Sequence, residues 1–285
     1  MPIIRLMPGD EERLDAYLAR HPSTSLFLRS NLRRAGFQDE GKAFQARYAA
    51  MIGADGSISG VVAHAWNGNL LVQAVPDQAI PLAASLAEDG DRPVAGIIGP
   101  LPAAQAVRSL FPHRELASDG TQDLFDLPLA ELRIPHILGE RGFAWRRAGA
   151  ADFPLLTAWR RAYGVELLNI PDDAALATRS ATEIATWGEA GEIFLLVDPA
   201  GEPIAMAVHN ARIPDTVQIG GVWTPPALRG RGYARAAVAV ALLAARNDGA
   251  LVGVLFTGKQ NEQARRAYLA LGFRSIGDYG ILLFR

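Results

Sequence analysis

Positions 228–234 read LRGRGYA, and positions 261–273 read NEQARRAYLALGF. In the first stretch, two glycines and an alanine allow a ligand to approach the backbone closely, just before a strongly apolar helical run. The first N–H groups of such a helix point outward, and the two arginines of the stretch add positive charge beside them. These features predict a phosphate cradle. A flexible turn at a helix start is the alternative when these residues are taken alone.

The second stretch has the spacing of a helix with small and polar side chains on one face. Asn261, Ala264 and Tyr268 are three and four positions apart, so they share that face. Gly272 follows at the place where a glycine commonly ends a helix. A face of this composition is typical of a ligand-binding surface. The alternative is that Asn261 caps the helix and Tyr268 packs in the core.

The sequence on either side predicts alternating strands and helices. Apolar runs at 193–197 and 204–212 form a hairpin around a turn at 198–201. The strand at 215–224 comes next and stops at Pro225, which has no N–H to donate to a sheet. The remaining elements are a helix, a strand, a second helix and a closing strand at 232–247, 251–256, 261–271 and 279–284.

The first half of the chain follows a similar order of strands and helices. At an offset of 145 residues, the pairs with identical residues are Gly56 and Gly201, His64 and His209, Val72 and Val217, and Gln73 and Gln218. They fall in the same predicted hairpin and following strand of each half, which indicates an internal duplication. We therefore predict two domains, 1–138 and 139–285.

The first half lacks the features that mark the second. After Val75, at the place that corresponds to the glycine stretch, the chain reads PDQAIPLAASLAE, without glycines or arginines. The segment Gly96–Pro100 is predicted to be a tight turn, with a substrate-facing loop as the alternative. The segment His21–Ser25 is predicted to be a helix break with an N-cap, and the alternative is a helix start that lines an acceptor pocket.

Composition excludes several classes of function. The 285 residues include no cysteine, so disulfides, thiolate metal sites and a cysteinyl acyl-enzyme are excluded. The five histidines show no spacing that would place two ligands on one helix face, and we expect no metal. The net charge is −2, with −5 in residues 1–140 and +3 in residues 141–285, which does not favour binding to nucleic acid. No signal peptide or membrane span is visible, and a cytoplasmic protein is expected.

Taken together and in order, the two motifs resemble the acyl-CoA motifs of the GNAT N-acetyltransferase superfamily. They read Arg-x-x-Gly-x-Ala at 229–234 and Asn-x-x-Ala-x-x-x-Tyr-x-x-x-Gly-Phe at 261–273, and the resemblance spans about residues 143–285. It implies two GNAT-like α/β domains, each a mostly antiparallel mixed sheet flanked by helices, of which the first is degenerate. In the second domain, the fourth and fifth strands would separate to admit the pantetheine arm.

The resemblance also implies roles for individual residues. Acetyl-CoA would be the cosubstrate. Its pantetheine arm would pair with the backbone of Val222, Trp223 and Thr224. The residues expected to contact the pyrophosphate are Arg229, Gly230, Arg231, Gly232, Tyr233, Ala234 and Arg235. Asn261 would hydrogen-bond the arm, and Tyr268 would lie beside the sulfur.

Acyl transfer to an amine requires a deprotonated amine, donors for the developing oxyanion and a proton for the leaving thiolate. A backbone N–H near Val222 is the candidate oxyanion donor, and Tyr268 is the candidate proton donor. The predicted strand at 215–224 contains no carboxylate after its first residue. His209 and Glu166 are therefore the candidate bases, and a structural role is the alternative for each.

The sequence thus favours an N-acetyltransferase that transfers an acetyl group directly to a primary amine of a small molecule or peptide. A non-catalytic acyl-CoA-binding sensor is the alternative of a different class. An aminoacyl-tRNA-dependent transferase would need a basic groove, which the acidic first half does not offer. A monomer or a homodimer is expected, with no nucleic-acid or membrane partner.

Overall fold

The computed structural model describes residues 1–88, 92–117 and 120–285. Its helices are α1 (Glu11–Leu18), α2 (Leu26–Ala35), α3 (Pro76–Glu88), α4 (Leu101–Arg108), α5 (Phe153–Leu168), α6 (Ala174–Glu189), α7 (Tyr233–Asn247) and α8 (Glu262–Leu271). Its strands are β1 (Ile3–Arg5), β2 (Ala46–Ile52), β3 (Ile58–Ala65), β4 (Asn69–Gln73), β5 (Gly96–Pro100), β6 (Thr121–Pro128), β7 (Ala144–Arg147), β8 (Ile193–Val197), β9 (Pro203–Ile213), β10 (Thr216–Trp223), β11 (Val252–Gly258) and β12 (Arg274–Leu283).

The chain forms two compact units. Unit 1 comprises Met1–Leu124, Phe256–Gln260 and Ile276–Arg285, and unit 2 comprises Phe125–Leu255 and Asn261–Ser275. The sequence predicts a single boundary, between residues 138 and 139, whereas each compact unit contains more than one segment of the chain. The boundary therefore stays a prediction.

Unit 1 contains a mixed sheet in which neighbouring strands are mostly antiparallel. β1 to β4 pair in sequence order as antiparallel neighbours, β4 and β5 are parallel, and β5 pairs antiparallel with β12. The core on one face includes Leu82 and Leu86 of α3, and the core on the other face includes Leu14 and Leu18 of α1. The sheet is therefore covered by helices on both faces.

Unit 2 repeats this order of pairing. β7 to β10 are antiparallel neighbours, and β10 is parallel to β11. The largest core cluster lies beneath α7, whose small and branched side chains from Ala236 to Ala245 are almost all fully buried. On the opposite face, Leu156 of α5 and Ile184 of α6 pack against β8 and β9. Each unit is thus a mixed α/β layer structure, which confirms the predicted fold class.

The prediction of a tight turn at Gly96–Pro100 is wrong, because this segment is strand β5. Gly99 lies so close to β4 that an added Cβ would be 2.5 Å from the carbonyl oxygen of Val72. The glycines therefore serve close strand packing rather than chain reversal.

The predicted N-cap before α2 is only partly correct. Ser25 does precede the helix, but its hydroxyl donates to the carbonyl of Leu18 at 2.7 Å instead of capping an N–H group of α2. Among the described residues, every helix is too short or too polar to cross a bilayer.

Candidate functional site

The separation of β10 from β11 begins close to the middle of β10. The parallel register joins Thr216 to Val252 and ends at Gln218 and Val254. Pairing of β10 with β9 continues to Trp223, through a bulge in which Gly221 has a φ of +55°. In the described part of the chain, the β11 side of residues 219–223 has no strand pairing. Backbone groups at Val222 are therefore available to an extended ligand.

The glycine stretch after β10 forms an open turn before α7. Gly230 and Gly232 have φ values of +81° and +82°, which L side chains rarely adopt. A Cβ added to Gly230 would meet no atom within 4 Å, so the space above this turn is open. Gly232 is the N-cap residue of α7, and the first intrahelical hydrogen bond runs from the N–H of Ala236 to its carbonyl. The N–H groups of residues 233–235 therefore have no partner within the helix.

The turn is attached to a rigid element. Tyr233 packs its ring against Phe143, with the ring centres 6.0 Å apart, and it borders the core beneath α7. Since the rest of α7 is buried, its N-terminus is fixed in position, as an anion-binding site requires.

The arginines of the turn have different environments. Arg229 donates from Nε to the carbonyl of Thr224 at 3.0 Å, and its guanidinium lies over the ring of Trp223 at 4.8 Å. Its two terminal nitrogens form a bidentate pair with Glu166, at 2.5 and 2.9 Å. Arg229 was expected to contact a pyrophosphate, but in this structure each of its three nitrogens already donates one hydrogen bond within the protein.

Among the described residues, Arg231 and Arg235 have no ion-pair partner. Arg231 is exposed and has no polar partner among the described residues. Arg235 lies along the turn, with a guanidinium nitrogen 3.7 Å from the position that a Cβ on Gly232 would occupy. Its Nε is buried without a hydrogen-bond partner in the described part of the chain. A buried unpaired donor of this kind is suited to an anionic ligand.

The candidate base Glu166 is not arranged for proton abstraction. The hydrogen bond from Arg229 lowers the pKa of Glu166, whereas a general base works best with a pKa near the operating pH. Both carboxylate oxygens are bonded to Arg229. The geometry therefore favours the structural alternative, in which Glu166 joins α5 to the turn after β10.

The other candidate base, His209, is buried and bonded at both ring nitrogens. Nδ1 lies 2.7 Å from a carboxylate oxygen of Glu192, and Nε2 lies 2.9 Å from the carbonyl oxygen of Ala241. Both ring nitrogens are thus in contact with neighbouring oxygen atoms, and neither faces a substrate. The geometry therefore favours the structural alternative for His209.

The ion pair of His209 also affects its partner. Burial acts to raise the pKa of Glu192, but the hydrogen bond and charge of His209 oppose this effect. With the charges of Arg212 and Arg147, they lower the pKa of Glu192 overall. The contacts of His209 with Glu192 and Ala241 therefore join β9 to the residue before β8 and to α7.

The sequence left open whether the Asn261–Tyr268 face of α8 binds a ligand or serves as a cap and core packing. The structure of α8 has features of both. Asn261 caps the helix, because its Oδ1 accepts the N–H of Ala264 at 3.1 Å, and its side-chain NH2 group is not used in that cap. Tyr268 is 8% exposed, and its ring packs edge-on against Phe125 and Phe273. The ring of Tyr268 is thus a core residue, and only its hydroxyl is available for chemistry.

Tyr163 is a residue of this region that the sequence analysis did not identify. It lies on α5, edge-on to Trp223 with 6.3 Å between ring centres. Burial raises the pKa of Tyr268, and the nearby Tyr163 phenol raises it further. Tyr163 is far from Trp223 in sequence, so no local spacing connects the two residues. The only sequence signal for Tyr163 was that it is an aromatic residue on the first predicted helix of the second half.

The two similar units define a tandem α/β protein, and its second unit has an open glycine turn before α7. Residues 156–273 match the family model described as "Acetyltransferase (GNAT) family". Residues 156–273 are therefore similar to this acetyltransferase family, over less than half of the chain. No curated protein sequence is significantly similar to the chain.

Solved structures match over nearly the whole chain. An acetyltransferase from the GNAT family of Colwellia psychrerythraea is 14% identical, with a TM-score of 0.56 and 100% of both chains covered. A tandem GNAT protein from the clavulanic acid biosynthesis pathway is 14% identical, with a TM-score of 0.56, and the match covers 100% of this chain and 98% of that one. A GCN5-related N-acetyltransferase from Kribbella flavida is 17% identical, with a TM-score of 0.57 and coverage of 92% and 95%. These likenesses show the tandem GNAT fold.

Proposed function

We propose that the protein is an acetyl-CoA-dependent N-acetyltransferase that acts on a primary amine of a small molecule or peptide. The observation that carries this proposal is the open turn at Gly230 and Gly232. It combines free helix N–H groups with the unpaired cations of Arg231 and Arg235. The pyrophosphate of acetyl-CoA would bind at this turn. Its pantetheine arm would then extend along the unpaired edge of β10 and hydrogen-bond to the backbone there.

The reaction would proceed by direct transfer. The nitrogen lone pair of a neutral amine attacks the thioester carbonyl, and the C–N bond forms as the oxygen takes negative charge. A backbone N–H near Val222 would stabilise this oxyanion. Collapse of the intermediate breaks the C–S bond, and the thiolate receives a proton from the hydroxyl of Tyr268. The amine's own proton passes to water, since Glu166 and His209 are both bonded elsewhere, and a proton from water then restores the hydroxyl of Tyr268.

The absence of a free base among these candidates favours a second function of a different class, an acyl-CoA-binding sensor. In such a protein, the turn and β10 would bind the same ligand without an acceptor. Release of free thiol from acetyl-CoA, measured with a panel of primary amines, separates the two functions. An amine-dependent rate supports the transferase. Tight acetyl-CoA binding with no thiol release for any amine in the panel would favour the sensor.

Substitutions at Arg231 and at Glu166, the partner of Arg229, are expected to have different effects on acetyl-CoA binding. Arg231→Ala should raise the Kd for acetyl-CoA by about 10-fold at low salt, because a charged contact to phosphate is lost from an exposed position. Glu166→Gln should leave kcat unchanged and should leave the Kd equal or lower, because it releases Arg229 toward the ligand. Isothermal titration and steady-state kinetics measure both effects.

The matched control is Arg179→Ala, which removes an arginine from the exposed surface of α6. An unchanged Kd in Arg231→Ala would mean that the turn does not bind the pyrophosphate. If Glu166→Gln instead slows turnover by about two orders of magnitude, Glu166 is restored as the base.

Acetyl-CoA is expected to bind unit 2 and not unit 1. At the equivalent place in unit 1, α3 begins directly with Pro76 and Asp77, so glycines are absent and an acidic side chain occupies the first turn. This acid repels a phosphate at the helix start. Backbone chemical-shift changes on titration with CoA should therefore concentrate at residues 222–235 and 261–268. Changes of equal size at residues 73–78 would contradict the prediction.

A further inference from the structure

Unit 1 contains a cavity of about 550 Å³ at the carboxyl end of β4. The parallel pairing of β4 with β5 ends at Leu71 and Ile98, and Gln73 and Pro76 lie beyond that point at the cavity wall. A volume of this size is typical of small-molecule binding sites. Because its walls lack the glycine turn of unit 2, the cavity is a site of different chemistry.

One part of the cavity wall is apolar and has few backbone donors. Pro76, Pro100 and Pro102 all line the cavity, together with Val75 and Ile58. Proline has no N–H group, so this wall offers contact area but no backbone hydrogen bonds from three of its residues. It fits the apolar body of a ligand.

The polar part of the wall is held in place by Tyr17. The hydroxyl of Tyr17 donates to the carbonyl of Gln73 at 2.9 Å, and burial raises its pKa to about 12. The guanidinium of Arg20 lies over the Tyr17 ring at 5.1 Å, and the His21 ring contacts the same ring at 5.3 Å. Burial and then the charge of Arg20 lower the pKa of His21, so its imidazole is neutral at pH 7.

Two residues of this polar wall, Arg20 and Gln73, have donors that can reach a ligand. Arg20 uses Nη2 in a hydrogen bond to the carbonyl of Ile58 at 3.2 Å, and its charge also interacts with the carboxylate of Asp55. Within the described ranges, its other nitrogens have no hydrogen-bond partner. Gln73 is 6% exposed, and its Oε1 accepts from the hydroxyl of Thr24 at 2.7 Å, which fixes the amide and leaves its NH2 group to donate. The described lining residues include no aspartate or glutamate.

We propose that this cavity binds a small monocarboxylate with an apolar body, with the carboxylate on Arg20 and the Gln73 amide and the body against the proline wall. A guanidinium and an amide NH2 group both donate hydrogen bonds to carboxylate oxygens. A phosphate is disfavoured by Asp77 at the start of α3, and a cation finds no carboxylate among the described lining residues. The proposal does not depend on acetyl transfer in unit 2.

The test uses acetate, butyrate and 3-phenylpropionate, each compared with its uncharged amide by isothermal titration. The wild-type protein should bind 3-phenylpropionate at least about 10-fold more tightly than 3-phenylpropionamide, and acetate more weakly than either longer acid. Arg20→Gln should reduce the preference for the acid to less than about 3-fold. Arg13→Gln is the matched control on α1, because Arg13 is not part of the cavity wall, and it should retain the wild-type preference.

Two further variants locate the binding site. Val75→Trp, at a position that is 57% exposed, fills the cavity mouth without disturbing the core, and it should abolish binding of 3-phenylpropionate. Arg231→Ala in unit 2 should leave that binding unchanged. The proposal is overturned if every acid and its amide bind within about 3-fold of each other. It is also overturned if Val75→Trp binds like the wild type, or if Arg231→Ala removes the preference for the acid.

Discussion

Tyr268→Phe is expected to lower kcat by about 10- to 1,000-fold at nearly constant acetyl-CoA affinity. The phenylalanine keeps the edge-on contacts with Phe125 and Phe273 and removes only the hydroxyl. A thiolate whose conjugate acid has a pKa near 8.5 leaves more readily when it receives a proton as the C–S bond breaks. Because burial raises the pKa of Tyr268, the hydroxyl keeps its proton through the whole neutral range. Single-turnover kinetics with a competent amine measures the effect.

The control for this substitution is Tyr48→Phe. Tyr48 is a buried tyrosine of unit 1 whose hydroxyl has no hydrogen-bond partner among the described residues, so both kcat and the melting temperature should stay near wild type. Full turnover in Tyr268→Phe would show that the thiolate leaves without this donor. A loss of melting temperature at unchanged turnover would assign Tyr268 to packing alone.

His209→Leu is expected to lower the free energy of unfolding by about 3 kcal/mol or more. The substitution leaves Glu192, whose side chain is 14% exposed, without its hydrogen-bonded partner His209. It also leaves the carbonyl of Ala241 without the His209 donor. Urea denaturation at pH 7 measures the change. At temperatures where the variant is folded, its kcat should match wild type, because His209 is not placed to accept a proton.

His64→Leu is the matched control in unit 1. His64 is the counterpart of His209 at the offset of 145 residues, and it is fully buried with no well-formed hydrogen bond at either ring nitrogen in the described ranges. Burial and the charges of Arg92 and Arg47 lower the pKa of His64, so no ion pair is lost with it. Its removal should therefore change the unfolding free energy by less than about 1 kcal/mol. Equal losses in the two variants would contradict a stabilising pair at His209.

The pairing of Glu192 with His209 also predicts how the stability of the protein depends on pH. The pKa of Glu192 is lower in the folded protein than its ordinary value of 4.5. The contribution of Glu192 to the free energy of unfolding is thus fully present above pH 4.5, its ordinary pKa. This contribution is lost as the pH falls through the lowered pKa of the folded protein. The variant Glu192→Gln should be less stable than wild type at pH 7 and should show a smaller loss between about pH 5 and pH 3. A wild-type loss that is unchanged in this variant would assign acid sensitivity to other carboxyl groups.

Much of the fold could be predicted from the sequence because its signals are local. Pro225 ends β10, Gly232 precedes α7 and Gly272 follows α8 in a left-handed conformation, as their backbone preferences require. The wrong prediction of a turn at Gly96–Pro100 also arose from local sequence signals. Glycine and proline also mark turns, and only the neighbouring strands show that these glycines permit close packing in a sheet.

The candidate site was predicted less completely than the fold. The turn before α7 and the face of α8 were identified from spacing, but the partners of the charged residues were not. Glu166 and Arg229 are 63 residues apart in sequence and form a bidentate pair in the structure. Tyr163 and Trp223 likewise meet only because α5 packs on β10.

The sequence by itself determined the two motifs, the order of strands and helices and the difference between an open glycine turn in one half and a proline-led helix in the other. These features depend on hydrophobic periodicity and on backbone freedom, which act over a few residues. Only the tertiary structure decided which charges are free. It joined His209 to Glu192 and Arg229 to Glu166, and it assigned residues 276–285 to unit 1. Such pairings depend on which elements pack together, and neither the spacing nor the sign of the charges along the chain specifies them.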